Sequence, residues 1–130
     1  MTAPTPTDRE LAILDVLWNR GEATVREVYE ELRKELPIVQ NTVQAFLRTM
    51  TEKGLVSYRI EGRSFVYVAA LTPEEGRGSM LNRVLQRAYD GALDRLVAGA
   101  INLKRPSGEE LARLRELLDE VEREQEEPTE

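Results

Sequence analysis

Neither cysteine nor histidine occurs in the 130 residues. Their absence removes disulfides, thiolate metal sites, thiol nucleophiles and imidazole bases together. Carboxylate metal sites and Ser-Lys chemistry remain chemically open, but no spacing in the chain points to either. Neither an enzyme nor a cofactor is therefore expected. No apolar run approaches the ~20 residues that a membrane-spanning helix needs. The opening MTAPTPTDRE has no basic start and no apolar stretch, so a signal peptide is not expected and a cytoplasmic location is.

What is present is a chain with 41% hydrophobic and 32% charged residues, which reads as globular and helix-rich. Its length suits one ordinary domain or two small ones. The net charge is −6, an unfavourable balance for a nucleic-acid binder. That acidity is uneven. Residues 107–130 hold three basic and ten acidic residues, a local −7. Residues 38–70 hold Arg48, Lys53, Arg59 and Arg63 against Glu52 and Glu61, a local +2.

The first helix is expected over TDRELAILDVLWNRG, with Thr7 and Glu10 at capping-box spacing and Gly21 at its end. Leu11, Leu14, Leu17 and Trp18 form its inward stripe. A second helix starts at Thr24, where Glu27 repeats the capping box. Val25, Val28, Tyr29, Leu32 and Leu36 follow a helical period, and Pro37 is expected to stop it. A third helix runs through PIVQNTVQAFLRTM to about Lys53, with Gly54 as a left-handed terminator. LVSYRIEGRSFVYVAAL then alternates in the manner of a β-hairpin turning near Glu61–Gly62. Helix, helix, helix, hairpin is a winged helix-turn-helix.

Residues 71–130 read as three more helices. Thr72, Pro73 and Glu75 start the first of these, Gly91 breaks it, and ALDRLVAGAI forms the next. Ser107 and Glu110 cap the last, and REQEEPTE is expected to fray. Met80, Leu81, Val84, Leu85, Leu93, Leu96, Val97, Leu111, Leu114 and Leu118 line apolar stripes, with Leu117 and Val121 beside them. Three short helices make a poor independent core, so the stripes need a partner. A second copy of the chain is the simplest one, and packing back on the winged helix is the alternative. The expected fold class is mainly α with a small β-hairpin. A winged helix-turn-helix domain (1–70) precedes a helical dimerisation domain with an acidic tail (71–130).

On a wheel centred on Val43, the residues Phe46, Leu47 and Met50 fall within about 60°. Asn41, Gln44, Ala45 and Arg48 fall about 100–160° away. Asn and Gln pair with adenine edges, Arg with guanine or phosphate, and Ala or a Thr methyl with thymine. Gln40, Asn41, Thr42, Gln44, Ala45 and Arg48 are therefore candidate DNA contacts. Asn41 has a competing role as the cap of the third helix. Glu52, on the same face, would repel phosphate, so the N-terminal half of the helix is expected to enter the groove. The hairpin adds Arg59 and Arg63, suited to phosphate or minor-groove contact. Tyr58, Phe65 and Tyr67 are read as wing packing, and Arg26, Glu30, Arg33 and Lys34 as a solvated face.

These motifs resemble the penicillinase-repressor family of bacterial transcription regulators. TVREV on the second helix, NTVQAFLRTMTEKGLV on the third, EGRSFVY in the wing and SGEELARLRELLDEVE near the end occur in the family's order. The resemblance covers about residues 7–122. It implies a dimer that binds palindromic double-stranded operator DNA and represses transcription, often of β-lactam-resistance or metal-homeostasis genes. It places Asn41, Thr42, Gln44 and Ala45 where the family's recognition helix meets DNA, and Arg63 at the wing arginine. Val39 stands where a capping serine is common.

Two departures matter. Copper-responsive members use cysteines near the C-terminus, and this chain has none. β-Lactam-responsive members are cut at an Asn-Phe pair by an inducing protease. Gly99–Ala100 aligns there, and Asn102–Leu103 lies three residues late. An inducing protease or sensor is thus an open partner. A winged helix used for protein–protein assembly without DNA is the alternative function, favoured by the net charge of −6.

Overall fold

Thr7 caps α1 (Asp8–Arg20), accepting from the Glu10 amide while the Glu10 carboxylate accepts from the Thr7 amide. The computed structural model describes residues 5–126. Gly21 ends α1 at φ 88, a positive angle that glycine reaches without the clash a Cβ would bring. Strand β1 (Ala23–Thr24) follows, and Thr24 caps α2 (Val25–Leu32) with the second capping box. α2 stops at Leu32, four residues before the expected end. The amide of Glu35 donates to Leu32 O at 3.1 Å, tightening the chain into turns ahead of Pro37. Leu36 still packs against the core.

α3 (Gln40–Lys53) ends at Gly54, which sits in the left-handed region at φ 81. Strands β2 (Val56–Glu61) and β3 (Ser64–Ala69) pair antiparallel, with Glu61 opposite Ser64 and a two-residue tip, Gly62–Arg63. β1 pairs with the other edge of β3, so the sheet order is β1-β3-β2. The expected hairpin is thus two strands of a three-stranded sheet.

The core lies between α1, α2, α3 and this sheet. Ile13, Leu14, Val28, Val43, Leu47, Met50 and Leu55 are fully buried in it. Burying one such side chain is worth about 1.5–3 kcal/mol, and this aliphatic interior fixes the angle at which α3 is presented.

α4 (Pro73–Tyr89) begins with a third capping box between Thr72 and Glu75. Packing divides the chain into two compact units, one reaching Ala88 and the other starting at Tyr89. The first turn of α4 belongs to the first unit because of Trp18. Its indole N–H donates to Leu71 O at 2.9 Å, and its ring faces the buried Gly76. Asp90 and Gly91, at φ 51 and 80, turn the chain out of α4.

The second unit holds α5 (Leu93–Leu103) and α6 (Gly108–Glu126), with the Glu110 amide donating to Ser107 Oγ at 3.1 Å. α6 remains helical through Glu126, further than the expected frayed tail allowed, and residues 127–130 of that tail lie outside the described residues. Neither α5 nor α6 buries a single described residue. Leu93, Val97, Leu111, Leu117, Leu118 and Val121 are exposed, as are Leu81 and Val84 on α4. Met80, Leu85, Leu96 and Leu114 are half-buried.

Candidate nucleic-acid interface

The polar flank of α3 faces an open groove. Gln40, Gln44 and Arg48 line it at i, i+4 and i+8, one ridge of the helix, followed by Thr51 and Glu52. The Thr51 hydroxyl donates back to Leu47 O at 2.8 Å. The start of α2 forms a second wall with Thr24, Val25 and Arg26, and the wing forms the third with Tyr58, Arg63, Ser64, Phe65 and Tyr67.

Three arginines (Arg26, Arg48 and Arg63) and one glutamate (Glu52) line this groove, a net +2 on an acidic chain. The value matches the sequence count, but the charges differ. Lys53 and Arg59 are engaged elsewhere, and Arg26, assigned to a solvated face, takes part. Among the described residues its one ion pair is to Glu30 at 3.5 Å, and its side chain is 71% exposed. Sequence reading missed Arg26 because nothing local shows that the start of α2 is brought beside α3.

Arg59 lies elsewhere. Strand alternation puts it on the face of β2 opposite to Tyr58, away from the groove lining. Its guanidinium donates two bonds to Glu22, at 2.9 and 3.0 Å, and two to Glu61, at 2.7 and 3.2 Å. The bond from Arg59, then its charge, lowers the pKa of the exposed Glu22 carboxyl. The assignment of Arg59 as a DNA contact therefore meets a side chain already held by two carboxylates.

Asn41 does not cap α3. Val39 occupies the N-cap position without a side-chain bond, leaving Asn41 exposed in the first turn. Thr42 and Ala45 are exposed on α3 outside the groove lining. Tyr58 stacks on Phe65 with centroids 4.6 Å apart and 7° between planes, and Tyr67 tilts against both. These rings pack the wing, as expected, but also give the groove an aromatic wall. Burial pushes the Tyr67 hydroxyl pKa up, Tyr58 adds to that, and the charge of Arg48 acts against it. Tyr67 therefore stays a neutral donor at physiological pH, within the electrostatic reach of Arg48.

A donor- and amide-rich helix ridge flanked by cations on two sides is suited to a polyanion with readable edges. Comparison with known proteins points the same way. The family model described as penicillinase repressor matches residues 6–120. The penicillinase repressor of Bacillus licheniformis is 30% identical over 117 residues, covering 90% of this chain and 91% of that protein. The methicillin resistance regulatory protein MecI of Staphylococcus epidermidis is 17% identical over 110 residues, covering 85% and 89%. The solution structure of monomeric B. licheniformis BlaI in complex with the blaP half-operator superposes with a TM-score of 0.51 at 30% identity, covering 57% of this chain and 90% of that one. The DNA-binding domain of the repressor BlaI gives the same TM-score and identity over 58% and 93%.

Proposed function

The chain belongs to the penicillinase repressor family, and from that premise we propose that it is a dimeric, sequence-specific DNA-binding transcriptional repressor. In this reading it recognises a palindromic operator through α3 and the wing. Residues 1–70 bind DNA and residues 71–130 mediate dimerisation. The observation that carries the reading is the ridge of Gln40, Gln44 and Arg48 facing Arg26 and Arg63 across one open groove. Gln40 and Gln44 read base edges, Arg48 reads guanine or a phosphate, and Arg26 and Arg63 hold the backbone on either side. Asn41, Thr42 and Ala45 meet the duplex beyond the groove lining. The solved half-operator complex of the related BlaI supports a DNA partner. The unburied stripes of α5 and α6 support a second copy of the chain.

The proposed location is the cytoplasm, with no membrane partner. Among the described residues, no helix is long and apolar enough to cross a membrane. The proposed role needs no catalysis. An inducing protease acting at Gly99–Ala100 would have to unwind α5, since both residues lie inside that helix.

The test is selection of duplexes from a random pool by the full chain, followed by titration at several salt concentrations. Enrichment of an inverted repeat, with log K falling against log salt at about 0.9 per phosphate engaged, is the expected result. Loss of sequence preference in Gln44→Ala would place the readout on α3. A second reading, a protein–protein module, is favoured by the exposed Ile60 and Phe65 on the wing. It predicts no enriched sequence and no salt-dependent binding to any duplex.

A further inference from the structure

Glu52 is the anomaly of the groove. It is exposed at the C-terminal end of α3, one turn beyond Arg48, and lines the same groove as the three arginines. Among the described residues it forms no ion pair within 4.0 Å, whereas its neighbour Lys53 is paired with Glu10. A carboxylate offers acceptors and no donor, so it cannot hydrogen-bond to phosphate and only repels it. Placed in a surface that otherwise attracts polyanions, an unpaired carboxylate costs affinity unless the geometry of the bound complex keeps it away from the backbone.

We propose that Glu52 is a specificity-determining residue that penalises binding to DNA of the wrong sequence more than binding to the operator. The proposal rests on the DNA-binding reading above. With the right sequence, Gln40 and Gln44 engage base edges and seat the N-terminal part of α3 in the major groove. That seating fixes the register and leaves the Glu52 end of the helix clear of the phosphates. With the wrong sequence there are no base contacts to fix the register. The protein then settles wherever Arg26, Arg48 and Arg63 find phosphates, and Glu52 is carried against the same backbone. Discrimination is a difference between two affinities, and a repulsive element that acts on one of them widens it. Non-specific binding is almost wholly electrostatic, so one misplaced negative charge weighs heavily on it.

The experiment uses the full chain with two probes, an unselected mixed-sequence duplex and the duplex selected from the same pool. Glu52→Gln is compared with wild type and with Asp15→Asn, which makes the same change in net charge at an exposed site on α1 outside the groove. The expected result is about fivefold tighter binding of Glu52→Gln to the unselected duplex near 0.1 M salt, with less than about a twofold change on the selected one. Glu52→Lys should go further on the unselected duplex and steepen its salt slope by about 0.9. Asp15→Asn should match wild type on both. Equal effects of Glu52→Gln on the two probes, or parity with Asp15→Asn, would overturn the proposal while leaving the DNA-binding function standing. Failure of the wild-type chain to bind either probe would overturn both.

Discussion

Lys53 Nζ lies 2.6 Å from Oε1 of Glu10, joining the last residue of α3 to the first turn of α1. Glu10 is only 3% exposed and also accepts from the Thr7 amide at 2.9 Å. One carboxylate thus closes a capping box and anchors the C-terminal end of α3. Removing the cation leaves a buried charge without its partner. Lys53→Met should destabilise the fold by about 1–3 kcal/mol, less than the 3–5 of a fully buried pair because Lys53 is partly exposed. Burial raises the Glu10 pKa, but the bond from Lys53, the bonds from Thr7 and the lysine charge outweigh it, so the carboxyl sits below its ordinary value. A carboxyl depressed in the folded state adds stability above its unfolded pKa of about 4.3, which is lost as pH falls through the folded value. The gap between wild type and Lys53→Met should therefore be largest near neutrality and close in acid. Urea unfolding at pH 7 and pH 3 measures it, and a pH-independent gap would contradict the assignment.

Arg48 and Arg63 should separate by their signatures on DNA. Arg48 lies on the groove-lining ridge of α3, and Arg63 sits at the two-residue tip of the wing. If Arg48 reads guanine, Arg48→Ala costs about 1–3 kcal/mol and relaxes the preference at one base pair of each half-site. Arg63→Gln instead weakens all duplexes alike and lowers the salt slope by about 0.9. Fluorescence anisotropy against single-base operator variants distinguishes the two outcomes.

Arg59 should behave unlike either. Its guanidinium braces β2 to Glu22, the residue just before β1. Arg59→Gln should leave the salt slope of DNA binding unchanged, because no phosphate contact is removed. A slope reduced as much as by Arg63→Gln would return Arg59 to the interface.

Much of this architecture is written in local signals. Thr7/Glu10, Thr24/Glu27 and Thr72/Glu75 each announce a helix start within four residues, and all three boxes form. Val43, Leu47 and Met50 declare the buried face of α3 by period alone. What sequence leaves open is which charges meet across the fold. Arg59 and Glu22 are thirty-seven positions apart, and Lys53 and Glu10 forty-three. A count of local charge treats these cations as free, although tertiary pairing has spent them. Two-residue strands such as β1 are equally hidden, since Ala23–Thr24 has no alternation to show. The groove is a product of tertiary packing between α2, α3 and the wing, so its Arg26 wall was not legible.

Gly76 tests that packing from another side. In an exposed helix interior, alanine is favoured over glycine by about 1 kcal/mol. At Gly76 a Cβ would lie 2.9 Å from Cη2 of Trp18, a contact that forces the ring or α4 to move. The Trp18 ring cannot yield freely, because its N–H is held by Leu71 O. Gly76→Ala should therefore lower Tm and shift the fluorescence of the single tryptophan, against the helix-propensity trend. Gly78, two residues on, meets nothing within 4 Å of an added Cβ, and Gly78→Ala should be neutral or stabilising. A higher Tm for Gly76→Ala would show that the Trp18 contact is loose.

The apolar stripes set the last prediction. Leu118 is 62% exposed and Leu93 63% in the single chain, and α5 and α6 bury nothing. Each such side chain recovers about 1.5–3 kcal/mol when buried, so a two-fold interface covering several of them outweighs the cost of association. Leu111, Leu114, Leu118 and Val121 follow a spacing of three, four and three, the seam of a helix that packs along a second helix. Wild type should sediment as a dimer at micromolar concentration, and Leu118→Glu should shift it to monomer. Because α6 lies outside the unit that carries the groove, the variant should keep its affinity for a single half-site. On the full palindrome it should lose the gain from linked binding, about a hundredfold or more. Unchanged sedimentation of Leu118→Glu would remove α6 from the interface. Equal loss on half-site and palindrome would mean that the substitution damages the DNA-binding unit instead.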